Sequence, residues 1–124
     1  MLKSKNTVLG FALGRVAFGA GLIAAPGSVA SRWLGPDAAR PGAGVAIRAL
    51  GARDIALAAG AASAAQRGEP TRPWLIGCAA SDLCDLAATL AAGDGIPARG
   101  RWGTAALAGG AAALGIALAV AADS

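Results

Sequence analysis

Arg48-Ala49-Leu50-Gly51-Ala52-Arg53-Asp54 places three charges within seven residues of a run, Gly44 to Ala65, that is otherwise almost wholly Ala, Gly, Ile, Leu and Val. A run of that length and character reads as a membrane-spanning helix. Yet a charge near the centre of a lipid-exposed helix costs roughly 2.5–3.5 kcal/mol on insertion scales, against about 0.3–0.6 kcal/mol returned by each Leu, Ile or Val. Three lone charges would cost about 9 kcal/mol, so this helix needs polar partners. The rest of the chain contains them. The expectation is an all-α fold: a four-helix transmembrane bundle organised around a buried polar layer, with a short interfacial helix after the first span.

Composition points the same way. The chain has 124 residues, one domain by length, with 56% hydrophobic and 15% charged residues and neither His nor Tyr. Soluble domains carry roughly 25% charged residues. Mean hydropathy is +0.57, moderate because Ala and Gly stand where Leu and Phe often do. A soluble Ala-rich helical domain is therefore the alternative. Against it, four apolar runs approach or exceed the length that crosses a bilayer, and Gly103 to Ala122 holds no charged residue and so no polar face. The net charge of +4 and the pI near 10.1 do not imply nucleic acid, because the basic residues are scattered through termini and connections without a clustered stripe. Such residues flanking apolar spans suit anionic lipid.

Along the chain, Met1 to Asn6 is a basic start with Lys3 and Lys5, and the first span runs over 7–25, interrupted by Arg15 and ended by Pro26-Gly27. A cleaved signal peptide is the competing reading of this region; Arg15 inside the apolar stretch and the further apolar runs beyond it argue for a retained helix. Pro26 to Pro41 is the long connection, in which Ser28 to Leu34 forms a short interfacial helix with Trp33 at headgroup depth. The later spans cover 44–65, 73–92 and 103–122, with Trp74 and Trp102 at the interfaces. A short loop makes the second and third spans antiparallel neighbours. Gly10 and Gly14, Gly51, and Ala105 with Gly109 offer small faces for close helix packing. Lys3, Lys5, Arg67 and Arg72 on one side balance Arg32, Arg40, Arg99 and Arg101 on the other. Lys3 and Lys5 ahead of the first span favour cytoplasmic termini, while an even tally also permits dual topology.

Within the spans lie Arg15, Arg48, Arg53, Asp54, Asp82 and Asp85, three positive and three negative. Asp82 and Asp85 share a helix face, and Cys78 and Thr89 extend that stripe. Folding the second span back on the third brings Arg53 to the depth of Asp85. Arg15 then serves Asp82 or Asp54, and Arg48, nearer a helix end, snorkels to the interface. Arg suits such pairing because its planar fork meets a carboxylate bidentately. This polar network is read either as an intramembrane functional site or as an ion-pair lock that sets helix register; both require charge balance. Cys78 and Cys84, six apart on one helix, cannot form a disulfide with each other and read as small apolar residues.

Gly14-Arg15 with Gly19, Ala25-Pro26, Gly35-Pro36-Asp37, the R-x-x-G-x-R-D pattern of Arg48, Gly51, Arg53 and Asp54, the D-x-x-D of Asp82 and Asp85, and Pro97 with Arg99 together resemble a family of small bacterial four-span membrane proteins known as a domain of unknown function. The resemblance covers nearly the whole chain and implies an integral membrane protein with a polar core. It implies no activity. Ala replaces Leu at many positions relative to that family.

Three functional classes follow. The first is a non-catalytic structural or accessory membrane bundle, without cofactor or metal, acting as a homo-oligomer or beside another membrane protein. It rests on the lack of a nucleophile and base set, a phosphate loop and a metal-ligand cluster. The second is a small transporter or channel in which Asp82 and Asp85 take a proton or cation. The third, a membrane redox or lipid enzyme using Cys78 or Cys84, lacks any accompanying cofactor motif. The expected location is a bacterial cytoplasmic membrane with both termini cytoplasmic, and no nucleic-acid partner.

Overall fold

In the computed structural model, residues 2–122 are described, residues 2–4 by their backbone only. Met1 of the basic start lies outside the described residues, as does the side chain of Lys3. The chain is all-helical: α1 (Leu2–Ala24), α2 (Pro26–Leu34), a 3-10 turn (Gly35–Ala39), α3 (Pro41–Arg67), α4 (Arg72–Ala92), a second 3-10 turn (Gly93–Gly95) and α5 (Ala98–Ala122). Ala has the highest helix propensity, and the punctuation is supplied by Pro and Gly. Pro26 and Pro41 open α2 and α3, where a missing N–H costs nothing, and Pro97 precedes α5. Gly68 ends α3 in the left-handed region (φ 70°), and the following Glu69 N–H returns to the Ala64 carbonyl at 2.9 Å. The stretch 93–101, expected as loop, is largely helical because Pro97 starts α5 early.

Three helices are long and apolar enough to cross a membrane: Lys5–Ala24, Arg72–Gly95 and Ala98–Ala122. α3 is as long as these but carries Arg48, Arg53 and Asp54. The main packing partners are α1 with α3 and α4 with α5; α3 meets α4 less extensively, although a short loop joins them.

Buried positions follow a pattern. On α1 they are Val8, Ala12, Arg15, Gly19 and Leu22; on α3, Ile47, Gly51, Asp54, Ala58 and Ala61, with Ala64 beyond them in the last turns. Both series step by four and three, the seam of helices packed knobs-into-holes. Where the two seams cross, a Cβ on Gly19 would lie 2.6 Å from the Gly51 carbonyl oxygen, and one on Gly51 would lie 2.5 Å from that of Gly19. Glycine is required there by backbone approach. Gly10, Gly14 and Gly109, expected to serve the same purpose, do not: a Cβ at each would meet nothing within 4 Å.

Two apolar clusters cap this seam. One gathers Val8, Ala61, Leu75 and Ala119; the other gathers Leu22, Ala30, Ala38 and Ile47. Halfway between them along each helix, seven residues from a cluster member on either side, sit Arg15 on α1 and Asp54 on α3. Outward-facing positions hold the larger side chains, among them Leu13, Phe18, Ile76, Leu83, Leu107 and Val120. The interior is thus mostly Ala and Gly with four larger apolar side chains, Val8, Leu22, Ile47 and Leu75, and paired charges, while many of the bulky apolar groups lie outside.

Adding a methyl at the crossing is expected to force α1 and α3 apart. Gly51→Ala should lower stability by about 1–3 kcal/mol, whereas Gly109→Ala should be neutral or stabilising by up to about 1 kcal/mol. Thermal unfolding of the two variants in one detergent checks the contrast.

Candidate functional site: a ladder of buried ion pairs

Five of the six expected charges meet. The guanidinium of Arg15 donates through Nη1 to Asp82 Oδ2 and through Nη2 to Asp54 Oδ1, each at 2.8 Å. Arg53 donates to both oxygens of Asp85, at 3.3 and 2.9 Å, and to Asp54 Oδ1 at 3.4 Å. The charges therefore alternate as Asp82, Arg15, Asp54, Arg53, Asp85, running from α4 through α1 and α3 and back to α4. Arg15, Asp54 and Asp82 are 9%, 7% and 6% exposed; Arg53 and Asp85 are half-buried. Arg15 also lies over the Phe11 ring, 5.7 Å from its centroid.

The ladder crosses the seam between the α1–α3 pair and α4, where direct helix packing is sparse. Arg suits its two cationic positions because a planar fork with two terminal nitrogens reaches carboxylates on separate helices, whereas an ammonium is a single point charge on a flexible stem. The Arg15 and Arg53 Nε atoms are buried without an acceptor, so only the ends of the forks are used.

Arg48 stands apart. It is exposed, and its Nε donates to the Ile23 carbonyl at 3.1 Å, one of the last-turn carbonyls of α1 without a helical donor. The expected snorkelling residue thus caps a helix end. Its departure changes the charge count of the layer: three carboxylates face two guanidiniums, and the ladder is formally −1.

Thr89, one turn beyond Asp85, is 2% exposed and accepts a hydrogen bond from Trp33 Nε1 at 3.0 Å. The short helix expected after the first span is present as α2, and the indole of its Trp33 is engaged with α4. Gly100 of α5 allows this, since a Cβ there would collide with the Trp33 carbonyl. Gly60 similarly lies under the Trp74 ring. The sequence reading missed the Trp33–Thr89 bond; the available signal was Thr89 on the Asp82 and Asp85 face. Cys78 is buried and Cys84 is exposed, on different sides of α4.

A cleft of about 1660 Å³ opens between α1 and α5, where those helices barely touch. Its walls come from α1, α2 and α5, and α3 and α4 contribute only Asp54, Asp82 and Asp85. Gly10 and Gly14, which pack against nothing, create part of this space. Among the described residues, no group of three or more His, Cys, Asp or Glu is placed to hold a metal ion.

Comparison of the chain with protein-family models, with curated proteins and with solved structures finds no match. The functional reading rests on the geometry above.

If the ladder is continuous, its members are energetically coupled. A double-mutant cycle on Arg53→Met and Asp85→Leu should return a coupling of about 1 kcal/mol or more. Arg48→Met, outside the ladder, should change stability by no more than about 0.5 kcal/mol. Arg15→Lys, which cannot span two carboxylates in the same way, should cost about 1–3 kcal/mol. Melting curves of the purified variants supply all three values.

Proposed function

We propose that this chain is an integral membrane protein with four spans, α1, α3, α4 and α5, and that it acts as a non-catalytic structural or accessory bundle whose helices are locked in register by the Arg–Asp ladder. The observation that carries this reading is the distribution of side chains: ion pairs inside, and most of the bulky apolar groups exposed on the outside. In water that arrangement exposes hydrocarbon without return, and contiguous exposed apolar surface of this kind marks a partner or a bilayer. In lipid it is what the medium selects, since intramembrane charges face the bundle interior and pair.

Three of the spans qualify by length and composition alone. α3 is the fourth in this reading because, of the three charges ahead of its terminal Arg67, Arg53 and Asp54 are spent in the ladder and Arg48 reaches a helix end. The remaining charged side chains cluster at the two ends: Lys5, Arg67, Glu69 and Arg72 at one, Arg32, Asp37, Arg40, Asp94, Arg99 and Arg101 at the other. That spacing fits two headgroup layers. The proposed setting is a bacterial cytoplasmic membrane with both termini cytoplasmic, in company with a second copy or another membrane protein. The resemblance to the small four-span family is proposed on the same residues. A second reading, proton- or cation-coupled transport, is favoured by one observation, that Asp82 and Asp85 both line the α1–α5 cleft.

Cys84 tests the membrane reading. It lies on the outer face of α4 near mid-helix, whereas Cys78 faces inward. In native membranes a charged, water-soluble maleimide should label neither thiol and, after denaturation in dodecyl sulfate, should label both; the protein should also stay with the membrane through an alkaline wash. Rapid labelling of Cys84 in the native protein, together with solubility without detergent, would end the reading.

A further inference from the structure

Two ladder oxygens have no donor among the described residues. Asp85 uses both of its oxygens on Arg53; Asp54 Oδ1 is shared by Arg15 and Arg53, and Asp82 Oδ2 takes Arg15. Asp54 Oδ2 and Asp82 Oδ1 accept nothing, although both side chains are nine-tenths buried. Both residues line the α1–α5 cleft. Neither oxygen is sealed in protein, so each is open to whatever fills the cleft, and this coincides with a network that lacks one positive charge.

The rest of the cleft is apolar. Phe11 and Phe18 face Leu107 and Leu114 across it. Phe18, Leu107 and Leu114 are exposed although they line the cleft, so the cleft is open along their side, toward hydrocarbon in the membrane reading. Gly14, Gly103 and Gly110 keep it wide, and a Cβ on any of them would meet nothing within 4 Å.

We propose that the α1–α5 cleft is a binding site for a lipophilic amine in its protonated form, its ammonium hydrogen-bonded to Asp54 Oδ2 and Asp82 Oδ1 and its apolar body held between Phe11, Phe18, Leu107 and Leu114. The ammonium supplies both things the ladder lacks, a positive charge and N–H donors. A quaternary ammonium brings the charge without the donors. A hydrated metal ion finds no third carboxylate with a free oxygen and only apolar walls. The aromatic ring of Phe18 adds a favourable surface for a cation. Arg32 and Arg99, exposed at the α2 end of the cleft, oppose a cation there, so the amine passes between Phe18 and Leu107 from the side. The site rests on the cleft and the ladder; only its supply from the bilayer rests on the membrane reading.

A matched set of fluorescent probes tests this with the full-length protein in neutral detergent: pyrenemethylamine, its trimethylammonium analogue, pyrenemethanol and pyrenecarboxylate. The amine should bind roughly tenfold or more tighter than the alcohol, about 1.4 kcal/mol or more, and tighter than the trimethylammonium analogue. Gly14→Leu and Gly110→Leu fill the cleft without touching the ladder, and each should abolish amine binding while leaving the melting temperature unchanged. Asp82→Asn, assayed at a temperature where it is folded, should erase the preference for amine over alcohol. Equal binding of amine and alcohol, tighter binding of the carboxylate at Arg32 and Arg99, or amine binding indifferent to the leucine variants would each overturn the proposal. If the chain proves soluble without detergent, the same titration runs in buffer, so failure of the membrane reading is separable from failure of the site.

Discussion

Everything in this fold depends on one requirement: carboxylates taken out of water must find cations, and cations must find carboxylates. Removing a carboxylate or guanidinium from water costs several kcal/mol per ion even after relaxation, and only close, hydrogen-bonded pairing repays it. Arg15 answers two carboxylates at 2.8 Å with one side chain. Arg53 grips Asp85 and touches Asp54. Because the pairs share members, none is optional. The ladder also supplies specificity that the remaining surfaces lack. A seam of Ala and Gly slides at little cost; a seam in which Arg15 must stand opposite Asp54 and Asp82 has one register.

The two helix pairs divide the labour. Within α1–α3, the approach of Gly19 to Gly51 lets backbones touch, and dispersion between tightly apposed chains holds the pair. Between α1–α3 and α4 the apolar contact is thinner, and the polar bonds take its place. At the far end, α2 folds across the top, with Ala30 and Ala38 buried and the Trp33 indole on Thr89. That strap explains why Gly100 is glycine and why α5 starts close beneath α2. The opposite edge, between α1 and α5, is joined only toward one end, where Val8 and Ala119 share a cluster, and the cleft is the consequence.

Much of this was legible in the chain because helix geometry is strict. Arg53 with Asp85 follows from residue spacing on helices folded back about a short loop, and the mid-span depth of Arg15 brings it to Asp82 or Asp54, without announcing that it bridges both. The signal was loud because charges are rare in such apolar surroundings. Helix packing was not legible in the same way. With so much Ala and Gly, small-residue spacings occur on every helix face, so Gly10, Gly14 and Gly109 look as suited to close packing as Gly19 and Gly51. What separates them is the four-three stepping of Val8, Ala12, Arg15, Gly19 and Leu22, which becomes visible once Arg15 is treated as a seam residue. Arg48 was hidden in the charge balance for a related reason. Six charges summing to zero looked complete, whereas the local demand of a frayed carbonyl at Ile23 drew one cation away. The Trp33–Thr89 bond joins residues 56 apart, and no local pattern announces such a pair.

The claim that mutual satisfaction of the ladder underlies the fold is tested most directly by comparing partial with complete removal. Asp82→Asn alone leaves Arg15 with an unmet charge, while a fivefold variant, Arg15→Met, Arg53→Met, Asp54→Leu, Asp82→Leu and Asp85→Leu, removes every demand at once. In equilibrium unfolding the account predicts a loss of about 3–5 kcal/mol for the single change and a much smaller loss, or a gain, for the fivefold one. A single variant as stable as the unaltered chain, or a fivefold variant more damaged than the single, would contradict it.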